Sequence, residues 1–274
     1  MNMAISNVNE HFAEEAFSKQ SKVFDDIYAE NTIVNYKRDR VRQHVLRFIK
    51  PGAKILELNS GTGEDALFFA QKGFIVHASD ISVGMQEQLR QKMQRHNVTN
   101  SVTQEICSYT NLAGLKNKGP YDHIFSNFAG LNCTGELDKV LASFNELLNE
   151  GGIATLVILP KFCLWESLLV FKGKFKTASR RWFSKNGVKA HLEGSHFKCY
   201  YYNPSYVADQ LKEQFEVLSI EGLCTIVPPS YIEHFAEKYP LSYRILCGRE
   251  EKLRFSRPWR SIGDYYIISL KKKV

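Results

Sequence analysis

Five short apolar runs alternate with stretches of helical spacing between residues 52 and 160. Lys54-Ile55-Leu56-Glu57-Leu58 reads as a strand, and Glu64–Lys72 as a helix closed by Gly73. Phe74–Ser79 is a second strand, after which Ser82 caps a helix running to about His96. Ser101–Cys107, Tyr121–Asn127 and Ile153–Leu159 supply three more strands, with a helical stretch at Thr134–Asn149 and a Gly151-Gly152 stop between the last two. Strands this short, some apolar throughout, describe a parallel sheet buried on both faces. Right-handed crossovers then wind helices over both sides, so the expected fold class is α/β with a doubly wound sheet.

The flanks follow other rules. Residues 8–50 carry Phe12, Phe17, Val23, Ile27 and later Val41, Val45, Leu46 and Ile49 at helical spacings, up to Pro51-Gly52. After Pro160, residues 161–200 hold nine basic and two acidic side chains among eight large aromatic ones. The first half of that stretch reads as helical, and Lys189–Tyr202 alternates like a hairpin around Glu193-Gly194. Ser205–Phe215 reads as a helix and Glu216–Glu221 as a strand. A Pro228-Pro229 break, a helical stretch at Tyr231–Lys238 and a last strand at Asp264–Leu270 complete the chain. Four units follow: 1–50, an N-terminal helical lid; 51–160, the core; 161–202, an insert; and 203–274, a completion of the sheet with a helical excursion.

Among the 274 residues, no run approaches the ~18 apolar residues that a membrane span needs. Met1–Glu15 lacks the basic-then-apolar layout of a signal peptide, so the expected location is cytoplasmic. The six cysteines are scattered, without zinc-site spacing, and read as reduced thiols; no metal is expected. Residues 1–150 carry a formal charge of −2 and residues 151–274 one of +9, which suggests an anionic partner at one end.

The richest local signal lies between the first strand and the first helix of the core. In Glu57-Leu58-Asn59-Ser60-Gly61-Thr62-Gly63-Glu64-Asp65, glycines let the backbone turn sharply beneath a helix N-terminus, and an acid, Asp80, ends the next strand. An acid there can accept hydrogen bonds from both ribose hydroxyls. The same glycines fit a dinucleotide fingerprint, so an NAD(P)-binding Rossmann protein is an alternative. Against it stand an acid inside the strand, Glu57, and two acids at the helix start, Glu64 and Asp65, which would repel a pyrophosphate.

These features suit a nucleoside bearing an ammonium and a sulfonium. Residues 55–63 resemble motif I of the class I S-adenosylmethionine (SAM)-dependent methyltransferases, aligning Glu57, Asn59, Gly61 and Gly63. Ala78–Ser82 with Gly84-Met85 resembles the next segment, which implies that Asp80 binds the ribose while Ile81 packs on the adenine, with Met85 a further cofactor-binding residue. The resemblance, to the small-molecule type similar to ubiquinone/menaquinone methyltransferases, implies a Rossmann-like, mostly parallel seven-stranded sheet and SAM as cofactor. Two positions depart from the pattern. Asn59 stands where the family has its first glycine, and Cys107-Ser108 stands where it has an acid contacting the adenine amino group, leaving that contact to backbone or to Ser108. Asn127, at the end of the fourth strand, is a further cofactor candidate. Tyr36 and Arg38 of the lid are others, with Arg38 suited to the methionine carboxylate.

Methyl transfer needs alignment more than acid–base help: orientation supplies roughly 7–11 kcal/mol, a general base about 10²–10⁴-fold. If a base is used, Glu166, His191 and His196 are the candidates, weighed against a surface ion pair of Glu166 with Lys161 or Lys172 and inert hairpin histidines. The Asn-Pro-Pro-aromatic signature of methyltransferases acting on amide or exocyclic nitrogens is missing after the fourth strand. The favoured acceptor is therefore a small aromatic or lipid-like molecule, anionic in one version, received by 161–202 and 223–262. Alternatives are an RNA or protein methyltransferase docking through Lys172, Lys174, Lys176, Arg180, Arg181, Lys185 and Lys189, with nucleic acid not favoured, and a fold relative that binds SAM without catalysis. The oligomeric state is left open.

Overall fold

A computed structural model describes residues 8–232 and 234–274. The first seven residues of the expected lid, which also open the stretch read as lacking a leader, lie outside the described residues, as does Glu233 of the expected 231–238 helix. Three helices come first: α1 (Val8–Gln20), α2 (Phe24–Ala29) and α3 (Thr32–Leu46), the last capped by the Asn31 side chain accepting from the amides of Ile33 and Val34. The core then alternates: β1 (Lys54–Leu58), α4 (Glu64–Gln71), β2 (Ile75–Asp80), α5 (Val83–Arg95), β3 (Val102–Ile106) and β4 (Tyr121–Ser126). Two short helices, α6 (Leu137–Ala142) and α7 (Phe144–Leu147), lead to β5 (Leu148–Ile158). The insert holds α8 (Leu164–Ser167), a 3-10 turn at Leu168–Lys172, α9 (Phe175–Ser179) and the hairpin β6 (Val188–Leu192)–β7 (Ser195–Cys199). The chain closes with α10 (Pro204–Leu211), β8 (Phe215–Leu223), α11 (Phe235–Lys238), α12 (Pro240–Leu253) and β9 (Tyr265–Lys272).

Seven strands form one sheet in the order β3-β2-β1-β4-β5-β9-β8, and β9 alone runs against its neighbours. Alternation along β1 sends Leu56 and Leu58 into the core on one face and Ile55 into the core on the other. The strand order turns back between β1 and β4, and such a reversal opens a crevice at the carboxyl ends of the strands.

Four details differ from the sequence reading. β5 begins at Leu148, because the Gly151-Gly152 turn, with Gly151 at φ 71°, is absorbed as a register shift opposite Tyr121–His123. The stretch 134–149 holds two short helices, Leu137–Ala142 and Phe144–Leu147, instead of one. Helix α12 has no amphipathic signal: Leu241 is 68% and Ile245 50% exposed, and its one buried residue is Glu250. Only Phe235–Lys238 of the expected 231–238 helix is helical.

Candidate functional site

The turn after β1 depends on residues that accept left-handed backbone. Asn59 sits at φ 46° and Gly61 at φ 55°. Gly63, at φ 81°, starts α4, and a Cβ there would lie 2.2 Å from Leu89 Cδ1. Asn59 keeps its turn by bonding across to β4: Nδ2 donates to the Asn127 carbonyl (2.9 Å) and Oδ1 accepts from the Ser126 hydroxyl (2.6 Å). Its side chain fills the space beside Gly130, where a Cβ would come within 2.3 Å of it. The asparagine in place of the usual glycine is thus matched by a glycine on the facing loop.

Asp80 is fixed at the end of β2. Oδ2 accepts from the Gly61 amide (2.9 Å) and Oδ1 from the Ser82 amide (2.8 Å), while burial lifts its pKa against those amides. Glu57 is almost fully buried, and its Oε2 accepts no hydrogen bond among the described residues. Burial first, and then the charge of Asp65, hold its carboxyl well above the usual range; Arg42 and Arg38 offset this in part. Asp65 itself is paired, to Arg42 Nε (2.7 Å) and Asn127 Nδ2 (2.7 Å). Asn127 is therefore spent on Asp65 and on the Phe128 amide, which donates to its Oδ1 at 2.7 Å.

These groups face a cleft enclosing about 860 Å³, open solvent included. Of the residues expected at a cofactor, Arg38, Glu57, Asn59 and Gly61 line it, as do Asp80, Ile81, Met85 and Asn127. The guanidinium of Arg38 lies 5.1 Å from the Phe128 ring centroid, reaches Glu64 and Asp65 only at 4.0 Å, and its Nε makes no hydrogen bond among the described residues. Four expected residues do not line the cleft. Gly63 caps α4; Tyr36 donates to Glu250 (3.2 Å); Cys107 is buried with its thiol on backbone carbonyls; and Ser108 donates to Glu10.

The lid supplies residues that the sequence reading missed. α1 places Glu10, Ala13, Glu14 and Phe17 on the cleft and α2 adds Phe24. The lid is clasped down: Asp25 accepts from Thr62 (2.6 Å) and pairs with Lys92 (2.5 Å), and the Ser18 and Ser82 hydroxyls are 2.7 Å apart. Glu10 is buried beside the end of β3. Its Oε2 accepts from Ser108 and Thr110, its Oε1 accepts no hydrogen bond among the described residues, and burial raises its pKa against those hydroxyls. A carboxylate thus stands at the strand-3 edge, delivered by a helix nearly a hundred residues earlier in the chain. Phe128, which lines the cleft, and Ala129 next to it in the turn after β4 both have positive φ (49° and 58°), a strained backbone that no residue type announces.

The three candidate bases lie elsewhere. Glu166 is buried rather than at the surface, and its partners are Arg180 (2.6 Å) and Arg181 (2.6 Å) rather than Lys161 or Lys172. Burial works against its charge, but the Arg180 bonds and the Arg181 charge win and hold its pKa down, which makes it a poor proton acceptor. His191 and His196 are exposed on the hairpin with ring centroids 4.6 Å apart, and neither lines the cleft. Cys163, Glu166 and Asp264 bring their ligand atoms within 4.8 Å of one another, but Arg181, bonded to both acids, already neutralises the group.

Residues 55–152 match the family described as Methyltransferase domain. Residues 55–152 of the core form a methyltransferase domain. The match covers the glycine turn, β2 with Asp80 and the strands through the start of β5, and it favours the SAM reading of that turn over the NAD(P) one. No curated protein matches the sequence. Among solved structures, the fold is similar to that of SpnF, described as a cyclase, at 15% identity over 97% of this chain and 96% of that one, with a TM-score of 0.62. It is also similar to the magnesium protoporphyrin IX methyltransferase of Synechocystis with bound S-adenosylhomocysteine (16% identity, 97% and 100% of the two chains, TM-score 0.58). A third is the 1,6-didemethyltoxoflavin-N1-methyltransferase of Burkholderia thailandensis, with its substrate and S-adenosylhomocysteine bound (12% identity, 100% and 94%, TM-score 0.57). At these identities the likeness is one of fold. Among the described residues, no helix is long and apolar enough to cross a membrane.

Proposed function

We propose that the methyltransferase domain binds SAM in the acid-lined cleft and methylates a small aromatic or lipid-like acceptor. The observation that carries this reading is the charge around the cleft. Glu10, Glu14, Glu57, Glu64, Asp65 and Asp80 line it with Arg38 as the one cation among the described lining residues, while Arg42 and Lys92 pair with Asp65 and Glu64 from outside the lining. Such a lining favours a cationic nucleoside and disfavours a diphosphate. The residues suit the cofactor: Asp80 for the ribose hydroxyls, Arg38 with its unbonded Nε for a carboxylate, and the orphaned oxygens of Glu57 and Glu10 for the ammonium and the adenine amino group. Bound there, SAM supplies a methyl on a sulfonium, whose C–S bond breaks onto sulfur as the acceptor's lone pair forms the new bond. This chain's part is alignment and exclusion of water. α1 and α2 cover the cleft, and the hairpin braces α1 through Phe197 packed near Ala13, Ala16 and Phe17.

Phe128 marks the side on which an acceptor would sit. Behind it, Lys37 is buried, donates to Ser230 Oγ (3.0 Å), lies 4.7 Å from the Tyr265 ring centroid and pairs with Asp264 (3.9 Å), so its charge is met within the fold. Two of the similar structures are methyltransferases named for small ring systems, whereas SpnF is described as a cyclase, so the test must read methyl transfer itself. S-adenosylhomocysteine should raise the melting temperature, NADH should not, and Asp80→Ala should remove most of the shift. Labelled methyl from SAM should appear in small-molecule or lipid extracts. An undiminished response in Asp80→Ala, stabilisation by NADH, or label confined to RNA or protein would overturn the reading.

A further inference from the structure

The cap formed by α8, the 3-10 turn and α9 exposes side chains that soluble surfaces normally hide. Phe171 is 86% exposed, Phe183 82%, Phe175 65% and Trp182 49%, and Leu168 and Val170 are exposed beside them. The pieces pack on one another as a single small unit. From Ser167 to Leu192 there is no acidic residue. Arg180 and Arg181 are spent on Glu166 and Asp264, but Lys172, Lys174, Lys176, Lys185 and Lys189 are exposed and make no ion pair among the described residues. We propose that this cap docks the protein onto an anionic lipid surface, its aromatic tips entering the interface while the lysines meet the headgroups.

The chemistry of the patch selects that occupant. Aliphatic Leu168 and Val170 offer no π-face to an unstacked base, yet they partition into hydrocarbon as readily as the phenylalanines. Lysine is depleted where proteins bind one another, whereas it is the residue that anionic headgroups attract. Apolar insertion and headgroup attraction add, and neither alone holds a protein firmly at a bilayer. The surface lies on the insert and not on the cofactor cleft, so the docking is independent of the methyl-transfer reading.

The test is co-sedimentation of the full chain with vesicles of phosphatidylcholine mixed with phosphatidylglycerol, and with vesicles of phosphatidylcholine alone. The wild type should pellet with the anionic vesicles about tenfold better than with the neutral ones, and less as salt rises. The combined variant Phe171→Ser, Phe175→Ser, Phe183→Ser should lose about tenfold in binding while its circular dichroism and melting temperature stay put, since all three side chains point into solvent. Lys172→Glu, Lys174→Glu, Lys176→Glu should lose as much through charge alone and serves if the aromatic variant misfolds. Anionic vesicles that leave the wild type in solution would overturn the proposal, as would either variant pelleting like the wild type. So would a wild type that ignores vesicles but dimerises through these phenylalanines or binds single-stranded RNA.

Discussion

Two groups of buried carboxylates in this molecule are treated in opposite ways. Away from the cleft, among α3, β8 and α12, the two buried acids are saturated. Glu221 meets His44 (2.7 Å), Arg47 (3.1 Å), Arg40 (3.1 Å) and Arg254 (2.5 Å). Glu250 accepts from the amides of Cys224, Thr225, Ile226 and Val227 and from Tyr36. At the cleft, Glu57 and Glu10 are as deeply buried, yet each keeps an oxygen that accepts no hydrogen bond among the described residues. An orphaned buried acid is costly, so its persistence points to a ligand that completes it. The saturated region also holds a decoy. Ser269 Oγ lies 2.9 Å from His44 Nε2, and His44 Nδ1 2.7 Å from Glu221, the connectivity of a hydrolase triad. All three are shut off from solvent, Ser269 also bonds Thr155 (2.7 Å), and burial pushes the His44 pKa down. Connectivity without access is scaffolding.

The largest effect should come from the saturated side. Glu250→Ala would strand four amides and the Tyr36 hydroxyl, and Glu221→Ala would leave three guanidinium groups facing a buried histidine. Each should cost about 3–5 kcal/mol in chemical denaturation. Either variant losing less than about 1 kcal/mol would erase the contrast between the regions. Next is the fit of Asn59 against Gly130. Gly130→Ala pushes a methyl into the Asn59 side chain and should cost about 1–3 kcal/mol. In the Asn59→Gly background the same change should cost far less, and additive costs would show that the two residues do not depend on each other.

What could be read in the sequence was what the backbone itself demands. The strand rhythm, the turn around Gly61 and Gly63 and the acid ending β2 are local requirements, and residue types announce them. Side chains that arrive from far along the chain were not legible. Glu10 and Phe17 sit on a helix with little amphipathic signal, and nothing local says that its face closes a cleft between β1 and β4. Chemical type does not settle a role where partners decide: Glu166, weighed as a base against an ion pair with Lys161 or Lys172, is held by Arg180 and Arg181, and the hairpin histidines lie away from the cleft. The positive φ of Phe128 and Ala129, in the turn after β4, is not announced by their identity.

The smallest expected change has the opposite sign and tests the orphaned acids directly. Unfolded, the Glu57 carboxyl ionises near about 4.3. Folded, burial and Asp65 keep its proton on to higher pH. Below the unfolded value both states are protonated and the group is neutral toward stability. As pH rises past it, the unfolded chain ionises first and folding loses free energy, until the folded carboxyl ionises too. Glu57→Gln removes that loss, so in denaturation curves the difference between variant and wild type should turn in the variant's favour as pH climbs above about 4.3. The gain should stay within about 1 kcal/mol, because a buried amide still carries polar atoms to satisfy. S-adenosylhomocysteine should at the same time bind more weakly, by the loss of a charged partner for its ammonium. A variant several kcal/mol less stable at every pH would instead place Glu57 with Glu250, as an acid the fold needs and a ligand does not.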